Sequence, residues 1–241
     1  MSSSSHLARA RFATTNWSLV RQLQGPEGSS ALAALCEQYW FPLYVFARRK
    51  LNNDHDARDS TQAFFAWLLE KDLFRRAAAD RGRLRSFLLT SLQNFLRNEQ
   101  QSKRRQIRGG HAQHFSLDFN EGSSQFTALP VDAMTAERLF DRSWALVLLE
   151  RVMSRLQDEA ESLGQGQRFR VLKPTLASEH TETYEEIAAR LGTTAAAARQ
   201  AASRLRKRYQ QLLLEEVQAT LADPADATAE IRELFLALRP G

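Results

Sequence analysis

Apolar residues recur at helical spacing along nearly the whole chain, and alternating strand patterns are almost absent. After a Ser-rich and then basic start over residues 1–13, read as disordered, Thr14-Thr15-Asn16 caps a short helix ending near Leu23, and Gly25-Pro26-Glu27-Gly28 turns the chain. Ser29 or Ser30 opens a helix to about Lys50 with Leu32, Leu35, Tyr39, Leu43 and Phe46 inward, which Pro42 is expected to kink or split. Asn52-Asn53-Asp54 is a turn and cap. The next helix, about Asp54 to Glu70, directs Ala57, Thr61, Phe64, Phe65, Leu68 and Leu69 inward and leaves Asp56, Asp59, Gln62, Ala63 and Ala66 on its other side. Beyond the Arg81-Gly82 break, Leu84, Phe87, Leu88, Ser91, Leu92, Phe95 and Leu96 form an apolar stripe, and the chain then turns polar and strongly basic up to Lys103-Arg104-Arg105.

Periodicity disappears over residues 106–130, where Gly109-Gly110, Gly122-Ser123-Ser124 and Pro130 mark a linker. It resumes near Thr135 with Leu139, Trp144, Val147, Leu148, Val152 and Leu156 on one face. Gly164-Gln165-Gly166 is a turn, and Phe169, Leu172 and Leu176 suggest a short helix interrupted at Pro174. Thr183 and Glu186 have capping-box spacing before Ile187, Ala188 and Leu191. Gly192 supplies a tight turn, and Thr194 opens a second helix of about 20 residues with Ala198, Ala201, Ala202, Leu205 and Tyr209 inward. Pro224 breaks the tail before an amphipathic segment, Ile231 to Leu238. The pattern predicts an all-α chain of two small helical domains: an extension at 1–28, a first domain at 29–105, a flexible linker at 106–134, a second domain at 135–220 and a tail at 221–241.

Charge sharpens this layout more than composition does. The formal excess is 33 − 28 = +5, too modest to prove a polyanionic partner. From Arg75 to Arg108, however, ten basic residues face two acids, and from Arg190 to Arg208 six basic residues face none. Between them and the first helix, residues 52–72 carry five acids against Arg58 and Lys71. Two separate basic blocks and one acidic helix suggest two nucleic-acid contacts and one protein contact. The lone Cys36 precludes an intrachain disulfide and fits a reducing compartment, with its thiol as a core filler. Residues 1–11 lack an apolar run of signal-peptide length and no stretch approaches a membrane span, so a cytoplasmic protein without membrane contact is expected. His111 and His114 have no accompanying Cys or acid cluster, and no phosphate-binding Gly loop or nucleophile elbow occurs, so neither an enzyme nor a metal or other cofactor is expected.

The two helices joined at Gly192 describe a helix-turn-helix, in which small Ala188 allows a close crossing. Its second helix offers Arg199, Gln200, Ser203, Arg204 and Lys207 on the free side. Arg reads guanine bidentately, Gln reads adenine, and the outer cations suit phosphates. The Thr183 end adds a helix N-terminus for a phosphate.

Three stretches in order resemble the extracytoplasmic-function type of the sigma-70 family, over about residues 14–220. LCEQYWFPLYVFARRKLNNDHDARDSTQAFFAWLL (Leu35 to Leu69) is similar to the family's second region, with its D-A-E-D-x-x-Q-E-x-F helix. Asp56, Asp59 and Gln62 match, whereas Arg58 and Ala63 stand where glutamates are usual. The resemblance implies docking of Asp56, Asp59, Gln62 and Ala66 on the β′ clamp helices of core RNA polymerase. FLLTSLQN (Phe87 to Asn94) resembles W-L-x-x-I-A-x-N, which implies recognition of a melted −10 element. Asn94 is the foremost base reader there, with Arg83, Arg85, Phe87, Arg97, Asn98, Lys103, Arg104 and Arg105 around it. TYEEIAARLGTTAAAARQAASRLRKRYQQLL (Thr183 to Leu213) resembles the fourth region, which implies reading of the −35 element by Thr183, Thr193, Thr194, Ala197, Arg199, Gln200, Ser203, Arg204 and Lys207, close to the β flap. Because Ala195, Ala196 and Ala197 cannot hydrogen-bond a base, readout shifts towards Arg199, Gln200 and Ser203. Thr14-Thr15-Asn16-Trp17-Ser18-Leu19-Val20 also resembles the T-T-x-W-S-L-V start of a subgroup. The implied function is a sigma factor that binds core polymerase and promoter DNA, with an anti-sigma factor as a further partner. Two other readings stand beside it: a dimeric helix-turn-helix regulator that binds DNA alone, and a sigma-like interaction scaffold that has lost DNA binding.

Overall fold

The computed structural model describes residues 19, 20, 22, 23, 26, 28–71, 82–105, 134–177 and 182–239. The predicted disordered start at 1–13 and linker stretch at 106–130 lie outside them, as do His111 and His114. Among the described residues all regular structure is helical: α1 (Gly28–Leu51), α2 (Asp54–Glu70), α3 (Leu84–Arg105), α4 (Ala136–Ser162), α5 (Gly166–Leu172), α6 (Tyr184–Leu191), α7 (Ala195–Gln218) and α8 (Ala227–Leu238), with short 3-10 turns at Lys173–Leu176 and Pro224–Asp226. None of these helices is long and apolar enough to cross a membrane. The chain divides into two compact units, Met1–Val147 with Val217–Gly241, and Leu148–Glu216.

In the first unit α1 is the central element. Leu35, Cys36, Tyr39, Trp40, Leu43, Tyr44, Val45, Phe46 and Ala47 are all buried, so the helix is covered on nearly every side. That burial helps to carry the helix through Pro42, leaving the kink rather than the split of the two expectations. Pro42 neither splits nor ends the helix, which continues through it to Leu51. The missing N–H costs about 3 kcal/mol in a helix interior. Burying each large neighbour returns about 1.5–3 kcal/mol, so packing outweighs the loss. Asn52 ends α1 with φ +54, its N–H donating to the Arg48 carbonyl. Asn53 then caps α2 by accepting from the Asp56 N–H at 3.2 Å.

Helix α2 buries Ala57, Ser60, Thr61, Phe64, Phe65 and Leu68. Phe64 and Trp67 meet Phe95 of α3 at ring-centroid distances of 5.7 and 5.5 Å. Ser60 donates to Glu99 at 3.0 Å, fixing the same pair of helices. From α3 the unit buries Leu84, Leu88, Leu92 and Leu96, one per turn. The first turns of α4 belong to this unit as well. Leu139, Phe140, Trp144 and Ala145 are buried, and Glu137 pairs with Lys50 at 3.0 Å. The tail closes the unit, with Leu221, Ala227 and Leu234 buried and the Leu84 N–H donating to the Thr220 carbonyl at 3.1 Å.

The second unit is built around a small-residue core of Val171, Leu172, Ile187, Ala188, Ala198, Ala201 and Ala202, with Tyr184, Leu191, Ala195 and Leu205 packed against it. Alanines on both sides let α6 and α7 approach closely. Four ion pairs hold α7 to α4: Arg155 reaches Glu216 at 2.7 Å and Glu215 at 3.0 Å, Arg151 reaches Glu216 at 3.2 Å, and Arg208 grips Glu159 through two bonds of 2.6 and 2.7 Å.

Candidate nucleic-acid interface

The helix-turn-helix is specified by local chemistry. Thr183 caps α6: its hydroxyl accepts from the Glu186 N–H at 3.3 Å, and the Glu186 carboxylate accepts from the Thr183 N–H at 2.7 Å and from its hydroxyl at 3.0 Å. These hydrogen bonds hold the Glu186 carboxyl below its ordinary range, the backbone N–H being the foremost cause. The Thr183 N–H is thus already occupied within the cap. At the other end Gly192 adopts φ +62, while the Thr193 N–H reaches back to the Ala188 carbonyl at 3.0 Å and the Gly192 N–H to Ala189 at 3.4 Å. That is the pairing of a Schellman turn, which needs a left-handed residue. Thr194 then caps α7, its hydroxyl accepting from the Ala197 N–H at 3.2 Å.

With 100° between successive residues, Arg199, Ser203, Lys207, Gln200 and Arg204 fall within an arc of about 140° on α7. All five are exposed. Thr183, Thr193 and Thr194 are exposed at the two helix starts, whereas Ala197 is half-buried. The other two arginines of α7 are differently placed. Arg208 is paired with Glu159, and Arg206 donates to the Thr175 carbonyl at 3.0 Å and the Tyr184 hydroxyl at 2.9 Å. The Arg199 guanidinium lies over the Tyr184 ring, 5.2 Å from its centroid. No carboxylate within ion-pair distance of Arg199, Arg204 or Lys207 occurs among the described residues. Neither Tyr184 nor Arg206 was singled out from sequence. Tyr184 beside a cap was a visible signal, but its ring partner 15 positions on was not.

The first unit presents two further surfaces. Asp56, Asp59, Gln62, Ala63 and Ala66 gather within about 120° on α2. Asp56 and Asp59 are exposed and Gln62, Ala63 and Ala66 half-buried, with His55 contacting Asp59 at 3.0 Å. On α3, Asn94, Arg97 and Asn98 are exposed, and Phe87 is half-buried. Lys103, Arg104 and Arg105 form the last turn of that helix.

Arg83 and Arg85, grouped with Asn94 from the sequence, are held by carboxylates of the same unit. They do not join Asn94 on an open basic face. Arg85 is only 9% exposed and lies among Asp141, Glu230 (3.0 Å) and Glu233 (3.2 Å), with its guanidinium 5.4 Å from the Trp144 ring centroid. Arg83 is paired with Glu233 and with Glu230 at 2.9 Å. The Glu230 carboxylate is 1% exposed and lies within ion-pair distance of both arginines. Burial is the main influence on it and raises its pKa despite both arginines. These carboxylates compete directly with any DNA phosphate for the two guanidinium groups.

Among the described residues no cluster of His, Cys, Asp and Glu could hold a metal ion. Cys36 is buried, and burial pushes its thiol up to about 12. No protein-family model matches the chain, and neither a curated protein nor a solved structure shows detectable similarity to it.

Proposed function

We propose that this chain is a sigma factor of the extracytoplasmic-function type, which binds core RNA polymerase and directs it to promoters. The observation that carries the reading is the sorting of cations on α7. Arg206 and Arg208 are held by the fold, while Arg199, Arg204 and Lys207 stand exposed with Gln200 and Ser203 on a single arc. Such a surface, on the second helix of a capped helix-turn-helix, suits a DNA major groove. The exposed Asp56–Asp59 face of α2 suits a basic or polar groove on the polymerase, and Asn94 and Asn98 of α3 suit unstacked bases. Loss of Arg83 and Arg85 to the tail leaves Arg97 and the last turn of α3 as the basic part of that second contact.

Two weak contacts held by one polymerase become one avid contact, so the free chain binds promoter DNA poorly and the holoenzyme binds it well. The test is transcription by purified core polymerase over a promoter library, with and without the chain. Chain-dependent selection of start sites supports the proposal. Core polymerase that neither retains the chain nor changes its start sites refutes it. DNA binding by the chain alone with no polymerase retention would favour a free-standing regulator instead.

A further inference from the structure

We propose that Tyr184 is a positioning residue that holds the Arg199 guanidinium in place for bidentate readout of a guanine; the inference rests on the reading of α7 as a recognition helix. Tyr184 is the first residue of α6 and is half-buried. Its backbone is fixed by the Thr183–Glu186 cap, and its hydroxyl accepts from Arg206 Nη2 at 2.9 Å. Arg206 is itself anchored, because its Nε donates to the Thr175 carbonyl at 3.0 Å. The ring is therefore tethered at both ends, by helix α6 and by helix α7.

Arg199 lies over the face of that ring, 5.2 Å from its centroid. A guanidinium is attracted there by the ring quadrupole. The contact holds the guanidinium beside the ring, and because Arg199 is exposed its N–H donors remain open to a ligand. Those donors match the O6 and N7 acceptors of guanine in the major groove. A phosphate can use the same fork, but a mobile point charge such as that of Lys207 also serves it, so a ring-held guanidinium is of most value where orientation decides the outcome, at a base edge. Arg204 and Lys207 fit the phosphate role: both are exposed, and no aromatic ring holds either of them among the described residues. The tyrosine thus links the start of the first helix, which faces the DNA backbone in such motifs, to a base-reading side chain on the second.

The experiment uses holoenzyme assembled from the full chain and core polymerase, on a promoter library randomised upstream. Wild type, Tyr184→Leu, Tyr184→Phe, Arg199→Ala and Arg199→Lys are compared, with helix content checked by circular dichroism. Wild type should show a G preference in one column that Arg199→Ala abolishes. Tyr184→Leu should weaken that column alone, by about two- to fivefold, the worth of an exposed cation–ring contact. Tyr184→Phe keeps the ring face and should retain the preference, while Arg199→Lys should lose the column but keep overall yield. A uniform fall across all columns in Tyr184→Leu, with the G column intact, overturns the positioning role and leaves the sigma reading standing. A misfolded Tyr184→Leu shifts the decision to Arg199→Lys, and an unchanged G column there overturns the proposal. If wild type itself selects nothing, both readings fall together.

Discussion

Replacing Arg85 by methionine should be the most destabilising single change to a charge in the first unit. Arg85 and Arg83 supply two positive charges against the three carboxylates of Asp141, Glu230 and Glu233. Removing Arg85 changes that balance from −1 to −2 and leaves Glu230, at 1% exposure, with Arg83 alone. Breaking a buried pair from one side costs about 3–5 kcal/mol. Asp141 and Glu233 are 34% and 48% exposed, so water screens their share, and the lower end of the range, about 3 kcal/mol, is expected. The partner substitution Glu230→Gln should behave oppositely. Burial raises the Glu230 pKa, so the folded state holds a proton more tightly than the unfolded chain does. The ionised form is therefore the disfavoured one in the fold. Stability contributed by this group falls as pH rises through its folded-state pKa, and a neutral glutamine should cost nothing or stabilise slightly at pH 7. Arg85→Met in the Glu230→Gln background should cost less than in wild type. Urea unfolding followed by Trp fluorescence and circular dichroism measures all three, Trp144 lying against Arg85. A loss below about 1 kcal/mol for Arg85→Met, the level of an exposed pair, refutes the reasoning; so does a Glu230→Gln variant less stable than Arg85→Met.

Asp59→Lys reverses an exposed charge on α2 and should abolish retention by core polymerase in a pull-down while leaving helix content unchanged; full retention would undo the docking assignment. Gly192→Ala forces a side chain into φ +62 with no steric neighbour to blame, so about 1–2 kcal/mol of destabilisation should appear in thermal unfolding; an unchanged Tm would mean that the turn relaxes. Because Glu186 is held below its ordinary range, its contribution is present above the unfolded pKa and is lost as pH falls through the folded one. Amide exchange at the start of α6 should therefore accelerate on acidification, and Glu186→Gln should flatten that response. Arg204→Ala should leave unfolding unchanged and lower the salt slope of DNA binding by about 1, whereas Arg208→Ala should cost up to about 1 kcal/mol of stability through Glu159 with little change in that slope. Swapped behaviour of the two would overturn the division of the arginines between fold and DNA.

The all-helical architecture was readable because its signals are local. Asn53, Thr183, Gly192 and Thr194 each act within four residues of themselves, and every one of them caps or turns the chain as its position suggests. Three-four spacing likewise identified Leu84, Leu88, Leu92 and Leu96 as the inward side of α3. Pro42 is the counterexample. Its local effect is to break a helix, yet α1 is enclosed on nearly all sides, and that enclosure comes from residues scattered over the unit. Leu205 and Tyr209 were placed inward by periodicity and are only half-buried, because the core beneath α7 is made largely of alanines and is narrow.

Charge is where sequence reasoning reached its limit, and the reason is physical. A run of arginines reports only that cations are close in sequence; their use depends on which carboxylates the fold brings to them. Arg83 and Arg85 sit in the densest basic block, yet Glu230 and Glu233, about 150 positions away, neutralise them. Between Arg204 and Arg208 one helical turn separates an exposed cation from one locked to Glu159. A free cation gains its full interaction with a DNA phosphate, whereas a paired one must first lose its carboxylate, so only the former adds to affinity. Counting the exposed cations outside ion pairs among the described side chains therefore moves the centre of the proposed DNA contact on α3 from Arg83 and Arg85 to Arg97, and on α7 to Arg199, Arg204 and Lys207. It also gives the tail a definite electrostatic role, since removal of α8 would free two guanidinium groups from the Glu230 and Glu233 carboxylates.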